Sequence, residues 1–132
     1  MTVLCDTNIV SELARPRPNP GVAAWGSNIT SIALSVISLE EIIYGLSARP
    51  NQRIYNWFQA FLSDYCEIIP VTAEVAHRSG ELRGTFRSKG ITRSQADILI
   101  AATAQVHQLV LVTRNTRDFE DCGISLLNPF DD

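Results

Sequence analysis

Apolar residues recur along this chain in two rhythms. Short runs at residues 3–5, 32–36, 67–71, 109–113 and 124–127 are too brief for helices and read as strands. Between them, apolar positions three and four apart mark helices. The first strand, Val3-Leu4-Cys5, ends at Asp6-Thr7-Asn8, which turns the chain into a helix carrying Ile9, Val10 and Leu13. Arg15-Pro16-Arg17-Pro18-Asn19-Pro20 breaks that helix, because proline has no amide hydrogen and restricts the residue before it. Pro20 then starts a short helix through Trp25. Further helices are expected over residues 38–46, over 51–65 with a stripe of Ile54, Trp57, Phe58, Phe61 and Leu62, and from a Thr72 cap to Arg87, stopping by Gly90. A helix capped by Ser94 and running through Gln105 is apolar nearly all round, so it should be largely buried, and Asp97 sits inside that apolar sequence.

Strands alternating with helices predict a parallel sheet covered on both faces. With right-handed crossovers the arrangement is a three-layer α/β/α sandwich of four to five strands, formed as a single domain over residues 1–132. There are no repeats or low-complexity segments.

Composition narrows the setting. The N-terminus has no basic segment and reaches Asp6 before an apolar stretch of secretory length, and no run approaches a membrane span, so a cytoplasmic protein is expected. Cys5, Cys66 and Cys122 are odd in number and widely spaced, which suits reduced thiols better than a disulfide framework or a zinc site. A net charge of −3 argues against non-specific nucleic-acid binding by the whole surface. The cations are nonetheless clustered between Arg78 and Arg93, whereas Asp118, Glu120, Asp121, Asp131 and Asp132 crowd the C-terminal end. Two solvated faces of opposite sign are the simplest reading of that segregation.

Candidate chemistry centres on carboxylates. Ligand sites in open α/β sheets form at the carboxyl ends of strands, where Asp6 lies, although aspartate there also serves as a helix N-cap. Glu41 has a comparable alternative, since Ser38-Leu39-Glu40-Glu41 matches a capping box, and Ser94-Gln95-Ala96-Asp97 repeats the pattern with Asp. Yet an unpaired Asp97 on an apolar helix would incur a desolvation penalty of several kcal/mol. A hard divalent cation bound by Asp6, Glu41 and Asp97 relieves it.

Four segments then carry a family resemblance: residues 4–9 (Leu-Cys-Asp-Thr-Asn-Ile), residues 35–45 ending at Tyr44-Gly45, residues 96–104 beginning Ala96-Asp97, and residues 113–119 (Thr-Arg-Asn-Thr-Arg-Asp-Phe). In their order and spacing they resemble the PIN-domain ribonucleases. Within that superfamily the chain looks most like the VapC toxins and the related FitB proteins of bacterial type II toxin-antitoxin pairs, including the terminal Leu127-Asn128-Pro129-Phe130.

The resemblance implies a metal site of Asp6, Glu41 and Asp97. Glu41 is preferred over Glu40 because it lies four residues before Gly45. The fourth acid implied is Asp118, since the chain follows the VapC-like pattern of Asn with Asp three residues later; Asn115, where FitB-like members carry Asp, is a candidate helper that binds a water or phosphate oxygen. Thr7, Asn8 and Thr113 are candidate supports. The activity implied is Mg²⁺-dependent hydrolysis of RNA phosphodiesters, with Mn²⁺ as a substitute, and it needs no nucleophilic side chain. His77 and His107 fall outside the acidic motifs. Arg83, Arg87, Lys89, Arg93, Arg114 and Arg117 become candidate RNA contacts. A homodimer and a VapB-like antitoxin are implied as partners, with DNA reached only through the antitoxin. Apolar helices bearing Trp25, Ile42, Ile43, Tyr44, Trp57 and Phe58 are candidate interfaces. Rival readings are a catalytically weak domain that acts by binding, a phosphatase with Asp6 as nucleophile, and a phospho-receiver, for which Lys89 is the sole lysine available.

Overall fold

A computed structural model describes residues 2–131. In chain order the elements are β1 (Val3–Cys5), α1 (Thr7–Leu13), α2 (Pro20–Ser27), β2 (Ile32–Ser35), α3 (Val36–Ala48), α4 (Gln52–Tyr65), β3 (Cys66–Ile69), α5 (Ala73–Ser88), α6 (Gln95–Val106), β4 (Val110–Val112), a 3-10 turn (Thr116–Phe119) and β5 (Leu126–Leu127). The strands form one sheet in the order β3-β2-β1-β4-β5, and every pairing is parallel.

The strands are nearly uniformly apolar because both faces of the sheet are covered. Alternate residues divide between two cores. Leu4, Ala33 and Leu111 pack with Val75, Leu82, Phe86 and Ile98 of α5 and α6, whereas Val3, Cys5, Ile32, Leu34 and Val112 pack with Ile9, Val10 and Phe58 of α1 and α4. This two-sided burial makes the three layers of the expected sandwich.

Side-chain caps account for most helix starts. Asn19, Asn51, Thr72 and Ser94 each accept a hydrogen bond from a first-turn amide, and Pro20 opens α2 as expected. Gly90, at φ +77°, follows the end of α5 in the left-handed region that glycine tolerates best.

The chain moves outward from β1 to β2 and β3, then returns through α5 and α6 to place β4 on the other flank of β1. The order therefore reverses between β1 and β4, and the loops leaving these strands diverge to open a crevice at their carboxyl ends. The three cysteines are free. Burial pushes up the thiols of Cys5 and Cys66, the latter to about 11, so neither is poised as a thiolate. Among the described residues no helix is long and apolar enough to cross a membrane.

Candidate active site

Register at the switch point sets the first residues of the site. Cys5 pairs with Val112, and the Asp6 amide donates to the Val112 carbonyl at 2.9 Å, so Asp6 and Thr113 leave adjacent strands side by side. Asp6 is 7% exposed and Thr113 fully buried. The Thr113 hydroxyl donates to Asp6 Oδ2 at 2.8 Å, the Thr7 amide donates to Oδ1 at 2.8 Å, and Asn8 Nδ2 reaches Oδ2 at 3.3 Å. Asp6 thus caps α1 and faces the cleft at once, and the two readings of it are compatible. Burial raises its carboxyl above the usual range, opposed by the Thr113 and Thr7 hydrogen bonds and reinforced by the negative charges of Asp97 and Glu41.

At Glu41 the capping-box expectation fails. Helix α3 begins two residues earlier than the sequence pattern suggested, with Ser35 as its cap accepting from the Ile37 amide at 3.0 Å. Ser38 is therefore inside the first turn, fully buried, and its hydroxyl finds no hydrogen-bond partner among the described residues. Freed from any capping task, Glu41 accepts from the Thr7 hydroxyl at 2.6 Å. Thr7 consequently joins the two acids, its amide on Asp6 and its hydroxyl on Glu41.

Asp97 stands in the first turn of α6, where the Ser94 hydroxyl accepts from its amide at 3.1 Å. The apolar sequence around it predicts a largely buried setting, and Asp97 is half-buried, because the first turn of α6 opens onto the cleft while Ile98 and Ile100 to Ala102 enter the core. Its carboxyl is still raised, first by desolvation and then by the charges of Asp118 and Glu41, against the Ser94 hydrogen bond and Arg93.

Asp6, Glu41 and Asp97 line one open cleft of about 510 Å³, together with Thr7, Asn8, Ser11, Glu12, Arg15 and Asn115. Asp118 is exposed and lines a neighbouring depression with Arg114, Asn115, Thr116 and Arg117. Of the two contenders for the fourth corner, Asn115 is in the acidic cleft itself, while Asp118 acts on Asp97 through its charge. Arg93 Nη1 donates to the Asp118 carbonyl at 2.7 Å, and its guanidinium lies 4.5 Å over the Phe86 ring. Arg83, Arg87 and Arg93 line a separate depression along α5, and Lys89 follows the end of that helix. His77 is exposed on α5 beside Glu81, and His107 follows the end of α6 as its C-cap.

Ser11, Glu12 and Arg15 were missed by the sequence reading. Asn8, Ser11, Glu12 and Arg15 follow the i, i+3, i+4, i+7 spacing of one helical face, the signal that would have added them to Asp6.

The donor set is all oxygen, which suits a hard divalent cation. Among the described residues no three acidic, histidine or cysteine side chains converge closely enough to ligate one ion together. Mg²⁺ does not require that, since it retains several waters and is bound through one or two carboxylates. Raised, mutually repelling carboxyls at Asp6 and Asp97 are what a cation would relieve, and on this basis the residues fit.

Fold and cleft together define an α/β domain built around a solvent-open carboxylate centre at the switch point of its sheet. The chain belongs to the PIN-domain family, whose model matches residues 3–124. It is 30% identical to the VapC ribonuclease Y4jK of Sinorhizobium fredii, with 98% of each chain aligned. It is 32% identical to the toxin FitB of Neisseria gonorrhoeae over 98% of this chain and 99% of that protein. Among solved structures, VapBC2 from Rickettsia felis bound to a DNA fragment from its promoter contains a chain with a TM-score of 0.86 at 29% identity, covering 99% of this chain and 100% of that one.

Proposed function

We propose that this chain is the toxin of a type II toxin-antitoxin pair and that it hydrolyses RNA phosphodiester bonds at the cleft of Asp6, Glu41 and Asp97. The observation that carries the reading is the convergence of these acids, from the end of β1, from α3 and from α6, on one open cleft at the switch point. Names of relatives agree with it: several are called ribonucleases, and one is called a toxin. PIN-domain ribonucleases are in general dependent on a divalent metal. Mg²⁺ is the cation proposed, with Mn²⁺ as a substitute.

Asp6 and Asp97 are the proposed direct ligands, with Glu41 acting partly through water. A bound divalent cation supplies water activation and neutralises charge that develops on the phosphate and the leaving oxygen. Around it, Thr113 and the Thr7 amide fix both oxygens of Asp6, while the Thr7 hydroxyl turns Glu41 toward the cleft. Asn115 is assigned to a water or phosphate oxygen, and Asp118 to a supporting negative charge near Asp97. Arg83, Arg87, Lys89, Arg93, Arg114 and Arg117 are proposed to track the RNA backbone, with Arg93, which lines one depression and donates to Asp118 of the other, joining the two.

The partner is proposed to be a VapB-like antitoxin, which supplies DNA contact, and the toxin a cytoplasmic homodimer. Tyr44, 71% exposed on α3, and an apolar depression lined by Trp25, Trp57 and Phe61 offer surface for these associations. Phe58 is removed from the interface candidates, since at 1% exposure it is core.

Incubating purified toxin with total RNA tests the activity. Cleavage should require Mg²⁺ or Mn²⁺, stop with chelator and vanish in Asp97→Ala; full activity from that variant would remove the proposed site. Asn115, an amide where an acid is an alternative, favours a second reading as a binding module. RNA binding without cleavage under either metal would establish that reading instead.

A further inference from the structure

Glu12 is a carboxylate in the cleft wall that the metal reading does not use. Its side chain is only 11% exposed, and both oxygens are engaged: Oε2 accepts from the Asn19 amide at 2.8 Å, and Oε1 meets Arg15 Nη1 at 3.4 Å. Asn19 is itself tied down, its Oδ1 accepting from the Gly21 and Asp131 amides at 3.0 and 2.9 Å. Glu12 is thereby anchored to the turn before α2, and its remaining reach is toward Arg15.

Arg15 is the one cation among the described residues lining a cleft that also holds Asp6, Glu12, Glu41 and Asp97. Its side chain is 67% exposed, so its pair with Glu12 contributes little to stability. Its backbone is held on both sides. The Arg15 amide donates to the Glu12 carbonyl at 3.1 Å, and Pro16 restricts the conformation of the residue before it. A buried anion that holds an exposed guanidinium at the wall of an acidic cleft is useful where a polyanion must enter. A guanidinium can donate two parallel hydrogen bonds to phosphate oxygens, and one Glu12 contact leaves donors free for that.

We propose that Arg15 binds a non-bridging phosphate oxygen of the RNA strand at the acidic cleft, with Glu12 as the positioning residue that directs it. This rests on the ribonuclease reading above.

The test measures anisotropy of a short fluorescein-labelled single-stranded RNA of mixed sequence in EDTA, across a salt series, and separately steady-state cleavage with Mg²⁺. Arg15→Gln should weaken binding about tenfold, lower the salt slope by about 0.7, and raise KM more than it lowers kcat. Arg15→Lys should restore the slope but only part of the affinity. Glu12→Gln should weaken binding less, and adding Arg15→Gln to it should cost less than in the wild type, as expected of a coupled pair. Thermal unfolding verifies that each variant is folded. Wild-type affinity and salt slope in Arg15→Gln, with cleavage by the wild type intact, overturn this inference alone. A wild-type protein that neither binds nor cleaves RNA overturns the ribonuclease reading and this inference with it.

Discussion

Thr113 and Asp6, 107 residues apart in sequence, meet through a buried 2.8 Å hydrogen bond in which the threonine hydroxyl donates to the carboxylate. The contact joins the ends of β1 and β4 where the sheet order reverses, and it holds Asp6 against the burial that disfavours its charge. Thr113→Val keeps the shape and removes the donor. Loss of a hydrogen bond to a charged group costs about 2 kcal/mol at neutral pH, measured by denaturant unfolding. If Asp6 is the ligand proposed, cleavage should fall about 10- to 100-fold, as is typical when a metal ligand's supporting contact is removed. With that bond gone the Asp6 carboxyl rises further, and the acid limb of the pH-rate profile should move to higher pH.

Asp6 and Asp97 are both raised above the ordinary value of 3.8 in the fold. Between that value and their folded pKa values, the native state holds more protons than the unfolded chain. Their contribution to stability is therefore fully present below 3.8 and is lost as pH rises through the folded values. In EDTA at neutral pH, Asp97→Asn should melt above the wild type, and the gap should close as the pH falls toward that value. Mg²⁺ should raise the wild-type Tm and leave the variant nearly unmoved. A wild-type Tm indifferent to Mg²⁺ would count against a cation at these acids.

Ser35 and Ser38 make a paired test of where α3 begins. Ser35→Ala removes a cap and should cost about 1 kcal/mol. Ser38→Ala removes a buried hydroxyl with no partner among the described residues, and should be neutral or stabilising by up to about 1 kcal/mol. Had Ser38 been the cap, as its capping-box spacing suggested, the two results would be exchanged.

Gly21 lies under the C-terminal segment, and a Cβ there would stand 2.3 Å from the Pro129 carbonyl oxygen. Gly21→Ala should displace residues 129–131 and break the bonds between Asn19 and Asp131. Faster carboxypeptidase trimming and a lower Tm are expected. Unchanged trimming would mean that the segment is not held at this point.

The sequence by itself determined the strand-helix alternation, and with it the three layers. Apolar period and helix caps are local properties of neighbouring residues, and here local preference and global fold agree. It also proposed Asp6, Glu41 and Asp97 through the shared motifs of a family, and the fold brings the three to one cleft. Other features depended on residues far apart in the chain. The start of α3 moved because Ser35, at the end of β2, was already placed to cap it, and a capping box at Ser38 looks the same in sequence whether or not it is used. Asp97 is only half-buried because the opening at the switch point, and not the composition of α6, sets its exposure. Glu12 and Arg15 joined the cleft because the turn of α1 carries them past Asp6, a juxtaposition of helix face with strand end. Helix and strand are properties of neighbours; a site is a property of distant segments brought together, and only the tertiary structure decides which of them meet.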